Sequence, residues 1–168
     1  DETAILAFDS NSDTKKEDIN ILLVEDNEEL LHLIKNILSK RYNVFAATNG
    51  LQALEQVKNN NIDIIVSDIM MPEMDGLELC RTIKGDLETS HISIILLTAK
   101  NSMDDRIESD NAGADGYISK PFELKVLEAR INNFVANKKS RQKEFKSNVE
   151  INISSLEYPS IDEQFLNN

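Results

Sequence analysis

The sequence is 168 residues long, which is enough for one domain with a full hydrophobic core but too short for two domains of ordinary size. Its formal net charge of −12 argues against direct nucleic-acid binding by this chain, because contacts to phosphates require clustered Lys and Arg. The single cysteine, Cys80, excludes an internal disulfide and a zinc-type cluster, and we interpret it as a small buried side chain in a reducing, cytoplasmic setting.

The chain opens with a polar, acidic segment over residues 1–18, which we interpret as a linker. The segment has no initiator Met and no basic leader. No apolar run in the sequence approaches the ~18 residues of a membrane span. We therefore expect a piece cut from a longer protein.

Short apolar runs alternate with amphipathic segments over residues 19–137. The runs predict strands, and apolar residues recurring every three to four positions predict helices. The strands are expected at 19–24, 43–47, 62–67, 92–97 and 116–119. The helices are expected from Glu28 with Asn27 as N-cap, from Gly50, and over 76–84, 103–111 and 123–137. The helix over 103–111 has the weakest apolar stripe, and we expect it to be the least stable element.

This alternation predicts an α/β fold, in which a five-stranded parallel sheet carries helices on both faces. Right-handed crossovers place the carboxyl ends of all the strands at one edge of the sheet. Polar side chains follow four of the predicted strands, and all of them should meet at that edge. They are Glu25, Asp26, Asp68, Thr98 and Lys120.

Three carboxylates at one edge repel one another unless a cation is present. Glu25, Asp26 and Asp68 offer hard oxygen ligands without His or Cys, so the cation expected is Mg²⁺ rather than zinc. The backbone carbonyl of Met70, just past Asp68, would complete the ligands supplied by the protein.

Lys120 and Thr98 add a positive charge and a hydroxyl group to this pocket. Together with Mg²⁺ they would hold phosphoryl oxygens so that Asp68 attacks phosphorus in line. Positioning and charge neutralisation supply most of the catalysis in phosphoryl transfer. The expected product is an aspartyl phosphate on Asp68.

Four motifs in this order and spacing resemble the receiver domain of two-component response regulators, over about residues 19–137. They are Val24-Glu25-Asp26-Asn27, Ser67-Asp68-Ile69-Met70-Met71-Pro72-Glu73-Met74-Asp75-Gly76, Leu97-Thr98-Ala99-Lys100 and Gly113-Ala114-Asp115-Gly116-Tyr117-Ile118-Ser119-Lys120-Pro121-Phe122. The resemblance implies a flavodoxin-like (βα)5 fold with strand order 2-1-3-4-5.

The resemblance also implies roles for single residues. Asp68 would accept a phosphoryl group from a histidine of a sensor kinase. Asp26 would bind Mg²⁺ directly, Glu25 through a water and Met70 through its carbonyl, while Thr98 and Lys120 would hold the phosphoryl group. Thr98 and Tyr117 would form the switch, in which the hydroxyl turns to the phosphate and the ring moves inward. The Lys120-Pro121 bond would be cis, and the domain would catalyse no reaction beyond its own phosphorylation and dephosphorylation.

Residues 138–168 are expected to be a connector toward an output domain, and within them 144–168 resembles the connector between a receiver and an arabinose-regulator-type DNA-binding domain in hybrid two-component proteins. The alternative is a stand-alone regulator with a C-terminal output domain. A hybrid parent with a sensor could be anchored to a membrane, while this piece remains cytoplasmic. We also expect the face formed by the fourth helix, the fifth strand and the fifth helix to respond to phosphorylation, and a homodimer could form there.

Other protein classes fit the sequence less well. A flavodoxin-type cofactor binder shares the layout, but Glu25 and Asp26 would repel its phosphate. A phosphatase with an aspartate nucleophile would need an acid where Met70 stands, and the P-loop signature is missing. The serious alternative is a degenerate receiver acting as a constitutive interaction module, which would have lost Asp68, Lys120 or the acidic pair.

Overall fold

The computed structural model describes residues 16–99 and 103–156 of the chain, with side-chain environments for 16–99 and 106–148. The predicted linker over 1–18 lies almost entirely outside the described residues, as does the polar end from residue 157. By its internal contacts the chain divides into two compact units, and the boundary falls between Leu127 and Glu128.

Strands and helices alternate along the described chain, as the sequence predicts. In chain order they are β1 (Asn20–Val24), α1 (Glu28–Leu38), β2 (Asn43–Ala47), α2 (Gly50–Asn59), β3 (Ile64–Asp68), α3 (Gly76–Gly85), β4 (Ser93–Thr98), α4 (Met103–Asn111), β5 (Gly116–Ser119) and α5 (Leu124–Leu156). The predicted strand boundaries agree with these to within two residues.

The strands form one five-stranded sheet in the order β2-β1-β3-β4-β5, and every pair is parallel. Parallel neighbours need crossover connections, which the helices between consecutive strands provide. The predicted flavodoxin-like α/β fold is therefore confirmed.

The central strands are buried on both faces, which is why their sequences are continuous apolar runs. Leu22, Ile65 and Leu96 share one core cluster with Leu79 of α3. Cys80 lies in the same cluster, its thiol donates to the carbonyl of Ala112 at 3.3 Å, and burial raises the pKa of that thiol to about 11. The prediction of a buried, structural cysteine is confirmed.

Three helices begin at capping side chains. Asn27, Asn49 and Asp75 precede α1, α2 and α3 and accept hydrogen bonds from backbone N–H groups of the first turn. Such caps satisfy donors that have no partner within the helix. The predicted cap at Asn27 is among them.

The last helix is longer than the sequence pattern predicts. We expected an end near Asn137, but α5 continues to Leu156. The segment from 124 to 156 contains neither Gly nor Pro, and good helix formers fill 138–146, so nothing local ends the helix. Its side chains are exposed from residue 139 to 148.

The buried positions at the end of α4 hold small side chains rather than the isoleucine of this helix. Ile107 is 49% exposed, whereas Ser109 and Ala112 are buried. Among the helices of the described chain, none combines the length and apolar character that a membrane crossing needs.

Candidate functional site

The predicted site residues lie together at the carboxyl edge of the sheet. Glu25 and Asp26 follow β1, Asp68 ends β3, Thr98 ends β4, and Lys120 follows β5. These four strands are consecutive neighbours in the sheet, so their ends are adjacent. Ligand and catalytic sites of open α/β sheets form at this edge.

An acidic cluster forms the centre of the site. One carboxylate oxygen from each of Glu25, Asp26 and Asp68 can be chosen so that all three lie within 4.8 Å of one another. Glu25 and Asp68 are buried, at 3% and 6% exposure, while Asp26 is exposed. The cluster therefore has a buried wall and an open side.

Lys120 bridges the two buried carboxylates. Its ammonium group donates to Oε1 of Glu25 and to Oδ2 of Asp68, both at 3.1 Å. The backbone N–H of Lys120 donates to the carbonyl of Thr98 at 2.6 Å, which fixes the start of the loop after β5 against the end of β4. The Lys120-Pro121 peptide bond is cis, as predicted.

The cluster perturbs the protonation of its members. Burial, together with the hydrogen bond and charge of Asp68, raises the pKa of Glu25 to about 7, although Lys120 acts in the opposite direction. Burial acts to lower the pKa of Lys120, but its hydrogen bonds to Asp68 and Glu25 and their negative charges outweigh that effect and raise it. Lys120 supplies one positive charge to a cluster of three carboxyl groups, and a divalent cation would supply the further positive charge that balances them.

The donor set fits Mg²⁺. The three side chains supply only hard oxygen atoms, which Mg²⁺ prefers. Oε2 of Glu25 is buried and has no hydrogen-bond partner among the described residues. A buried acceptor left unpaired by the protein is suited to a cation or to its water shell.

The loop after β3 holds Asp68 by close backbone packing. The N–H of Ile69 donates to Leu97, and that of Gly76 donates to the carbonyl of Ile69. A Cβ atom at Gly76 would lie 2.2 Å from the carbonyl oxygen of Asp68, so only glycine fits there. Met70, whose carbonyl is the predicted further ligand, follows in this loop with a side chain that is 72% exposed.

Thr98 and Tyr117 lie on the same face of the sheet. Tyr117 pairs with Leu96, and Thr98 pairs with Ser119, so the two predicted switch residues are two register positions apart. Thr98 is buried, and Tyr117 is partly buried against the core. Arg106 of α4 stacks on the Tyr117 ring, a contact that the sequence analysis missed because no local pattern links two such distant positions.

An apolar groove of about 590 Å³ adjoins Lys120. It runs between α1 and the loop from β5 to α5, and it is lined by Leu30, Leu33, Ala99, Lys120, Pro121, Phe122 and Leu124. Leu33 is 48% exposed, although it lies on a helix beside the site.

The fold and this edge define an α/β domain with an acidic pocket at the carboxyl end of its parallel sheet. The family model of the response regulator receiver domain matches residues 21–132. The chain belongs to this family, the receiver domains of two-component response regulators. Receiver domains are phosphotransfer switches that bind Mg²⁺ at an acidic pocket and interact with histidine kinases.

Similar proteins include both kinases and regulators. The chain is 43% identical over 164 residues to histidine kinase P4 of Formosa agariphila. This match covers 96% of the present chain and 12% of the kinase. It is 40% identical over 114 residues to the heme response regulator HssR of Staphylococcus epidermidis, covering 67% of this chain and 50% of that protein. The chain thus spans half or less of these relatives.

A solved structure of the signal receiver domain of a signal transduction histidine kinase from Syntrophus aciditrophicus is also similar. It superimposes with a TM-score of 0.66 at 35% identity, covering 70% of this chain and 90% of that one.

Proposed function

We propose that the chain is a phosphorylation-dependent switch in which Asp68 accepts a phosphoryl group from a kinase phosphohistidine. The observation that carries the proposal is the pairing of a buried Asp68 with Lys120 and Glu25 at the carboxyl edge of the sheet. All the side chains that a degenerate receiver would lack are present and adjacent.

In the proposed reaction, a carboxylate oxygen of Asp68 forms a bond to phosphorus while the bond from phosphorus to the donor histidine nitrogen breaks. The nitrogen leaves with the electron pair of that bond. The Lys120 ammonium and the Thr98 hydroxyl hold phosphoryl oxygens, which fixes the line of attack.

Glu25, Asp26 and Asp68 would hold Mg²⁺, with Asp26 as direct ligand, Glu25 acting through water and the Met70 carbonyl completing the set. When bound, the ion supplies positive charge against the phosphoryl oxygens. Lys120 supplies the protein's own charge, and its two hydrogen bonds orient it toward Asp68.

Phosphorylation is read out by Thr98 and Tyr117. The Thr98 hydroxyl turns toward the phosphoryl group, and the Tyr117 ring moves into the space that becomes available. Their shared sheet face supports this coupling.

Ile107 of α4 and Val126 of α5 expose about half of their apolar side chains, which supports a homodimer through α4, β5 and α5 in the active state.

The kinase domain that carries the phosphohistidine would dock on the groove beside Lys120. Leu30 and Leu33 of α1 and Phe122 give this groove an apolar lining next to the proposed phosphoacceptor. Docking there would bring a donor histidine to the open side of the acidic cluster.

The parent protein is proposed to be a hybrid kinase, with a linker over 1–18, the receiver over 19–137 and a connector over 138–168 toward a transcriptional output domain. The match to the Formosa kinase supports this, because it covers 96% of the chain whereas the match to HssR covers 67%. The exposed helical segment from 139 to 148 suits a connector.

Phosphorylation by a small donor tests the proposal. The chain should gain one phosphoryl group from acetyl phosphate in the presence of Mg²⁺, measured by intact mass, and EDTA should abolish the gain. Asp68→Asn should prevent it and Lys120→Met should slow it strongly, whereas the exposed control Asp110→Asn should behave as wild type. Equal phosphorylation of Asp68→Asn and wild type would refute the proposal.

A further inference from the structure

Arg106 and Tyr117 make a contact that the chemistry at Asp68 does not use. The guanidinium carbon of Arg106, on α4, lies 4.9 Å from the centre of the Tyr117 ring, on β5. A guanidinium within about 6 Å of an aromatic face is attracted to its negative quadrupole. Arg106 is exposed and Tyr117 is partly buried, so the contact holds the ring from the outer surface of the domain.

The geometry of the sheet connects this contact to the phosphorylation site. Tyr117 pairs with Leu96, and Thr98 stands two residues further along β4, on the same face. The carbonyl of Thr98 in turn accepts a hydrogen bond from the backbone N–H of Lys120, and the Lys120 ammonium group lies 3.1 Å from Oδ2 of Asp68. The Tyr117 ring thus lies on the same face of the sheet as Thr98, and the carbonyl of Thr98 holds the backbone of Lys120 beside Asp68.

We propose that Arg106 is a positioning residue whose stacking on Tyr117 stabilises the unphosphorylated arrangement and sets how readily the domain switches. The inference rests on the proposed function, in which the Tyr117 ring moves inward. Arg106 is anchored on the exposed side of α4, so inward movement separates the ring from the guanidinium. A contact made in only one of two states shifts the equilibrium toward that state.

The expected effect is modest and has a definite sign. Cation–aromatic contacts at exposed sites correspond to a change of about two- to fivefold in an equilibrium constant. Loss of the stack should make the switched state easier to reach. Ligands that bind the switched state should then bind more tightly by about the same factor.

Beryllium trifluoride, a phosphoryl mimic, is the probe. Its affinity for the full chain would be measured with Mg²⁺ by NMR titration for wild type, Arg106→Gln and Arg106→Lys. Arg106→Gln should bind about two- to fivefold more tightly than wild type. Arg106→Lys should be intermediate, because lysine keeps a cation near the ring. The matched control is Arg81→Gln, which removes an exposed arginine on α3 and should bind no more tightly than wild type.

The direction of the change in affinity for beryllium trifluoride distinguishes this role of Arg106 from a general effect of its charge. Removing a positive charge by itself weakens binding of an anion, whereas loss of the stack strengthens it. In a Tyr117→Leu background, Arg106→Gln should give no gain in affinity, because the ring is absent. Unchanged or weaker binding by Arg106→Gln, or an equal gain without the ring, would overturn the inference.

The two proposals fail in different ways. If wild type neither binds the mimic nor gains a phosphoryl group on Asp68, the proposed function is lost and this inference with it. If wild type binds the mimic and Arg106→Gln binds it equally well, only the role of Arg106 is wrong.

Discussion

Burial and a neighbouring carboxylate together determine the protonation of Glu25. Its pKa of about 7 reflects burial first and the adjacent Asp68 second, with partial relief from Lys120. Without metal the protonated form is favoured only below about pH 7, and a bound cation would favour the carboxylate. At the proposed site, a proton and Mg²⁺ would therefore compete for Glu25.

Mg²⁺ affinity should accordingly depend on pH through the ionisation of Glu25. Below about pH 7 the affinity should fall by up to tenfold per pH unit, because a proton must be displaced, and above that pH it should level off. Calorimetric titration with Mg²⁺ between about pH 6 and about pH 8 measures this. Glu25→Gln should bind more weakly and lose this pH dependence, and an unchanged slope in that variant would contradict the assignment.

Gly76 and Gly85 bound the same helix but occupy opposite environments. A Cβ at position 76 would meet the Asp68 backbone, whereas nothing lies within 4 Å of one at position 85. Gly76→Ala should lower the free energy of unfolding by roughly 1–3 kcal/mol and slow phosphorylation by displacing Asp68. Gly85→Ala should raise the free energy of unfolding by roughly 0.5–1 kcal/mol, since alanine favours the helix. Urea denaturation of both variants provides the test, and equal effects would contradict the close packing at Asp68.

At the scale of elements, Lys84 joins α3 to the start of β4 and β5. Its ammonium donates to Asp115 at 2.8 Å and to the carbonyl of Ile92 at 2.7 Å, and Asp115 also accepts the N–H of Ile94. Lys84→Met should lower the free energy of unfolding by about 1–2 kcal/mol, because the Asp115 carboxylate and the Ile92 carbonyl lose the hydrogen bonds that Lys84 donates. Lys58→Met, in the last turn of α2, is the exposed control, and an equal loss in both variants would show that the network contributes nothing.

The proposed boundary between receiver and connector lies within α5, and truncating the chain there tests it. Side chains from 139 to 148 are exposed, whereas Leu127, Ile131 and Val135 are buried. A chain truncated after Asn137 should keep its fold, with a melting temperature within about 4 °C of the longer chain. Circular dichroism would follow the melting, and a truncated chain that failed to fold would place the boundary further along the helix.

The elements could be predicted where a local pattern determines them. The alternation of apolar runs and amphipathic segments predicted all the strands, and Asn27 marked the start of α1. The end of α5 could not be predicted from its apolar stripe, because an exposed helix continues without one when the sequence lacks Gly and Pro. The burial of Ser109 in place of Ile107 depends on which side of α4 the rest of the domain covers, and the weak apolar stripe of α4 does not determine that side.

At the scale of the whole molecule, the parallel sheet brings together residues far apart in sequence. The sequence predicted which residues meet at the carboxyl edge, because strand direction alone fixes that edge. It did not predict that Lys120 bridges Glu25 and Asp68, across 95 and 52 positions, nor that Arg106 covers Tyr117. Such contacts depend on side-chain packing across elements.

Trapping the acyl phosphate tests the central proposal most directly. After incubation with acetyl phosphate and Mg²⁺, borohydride would reduce an aspartyl phosphate to homoserine and release the phosphate. Peptide mass spectrometry should then find homoserine at position 68 and aspartate at positions 26, 63 and 75. Phosphorylation of the chain with Asp68 unmodified, or homoserine at another position, would contradict the role of Asp68 as phosphoacceptor.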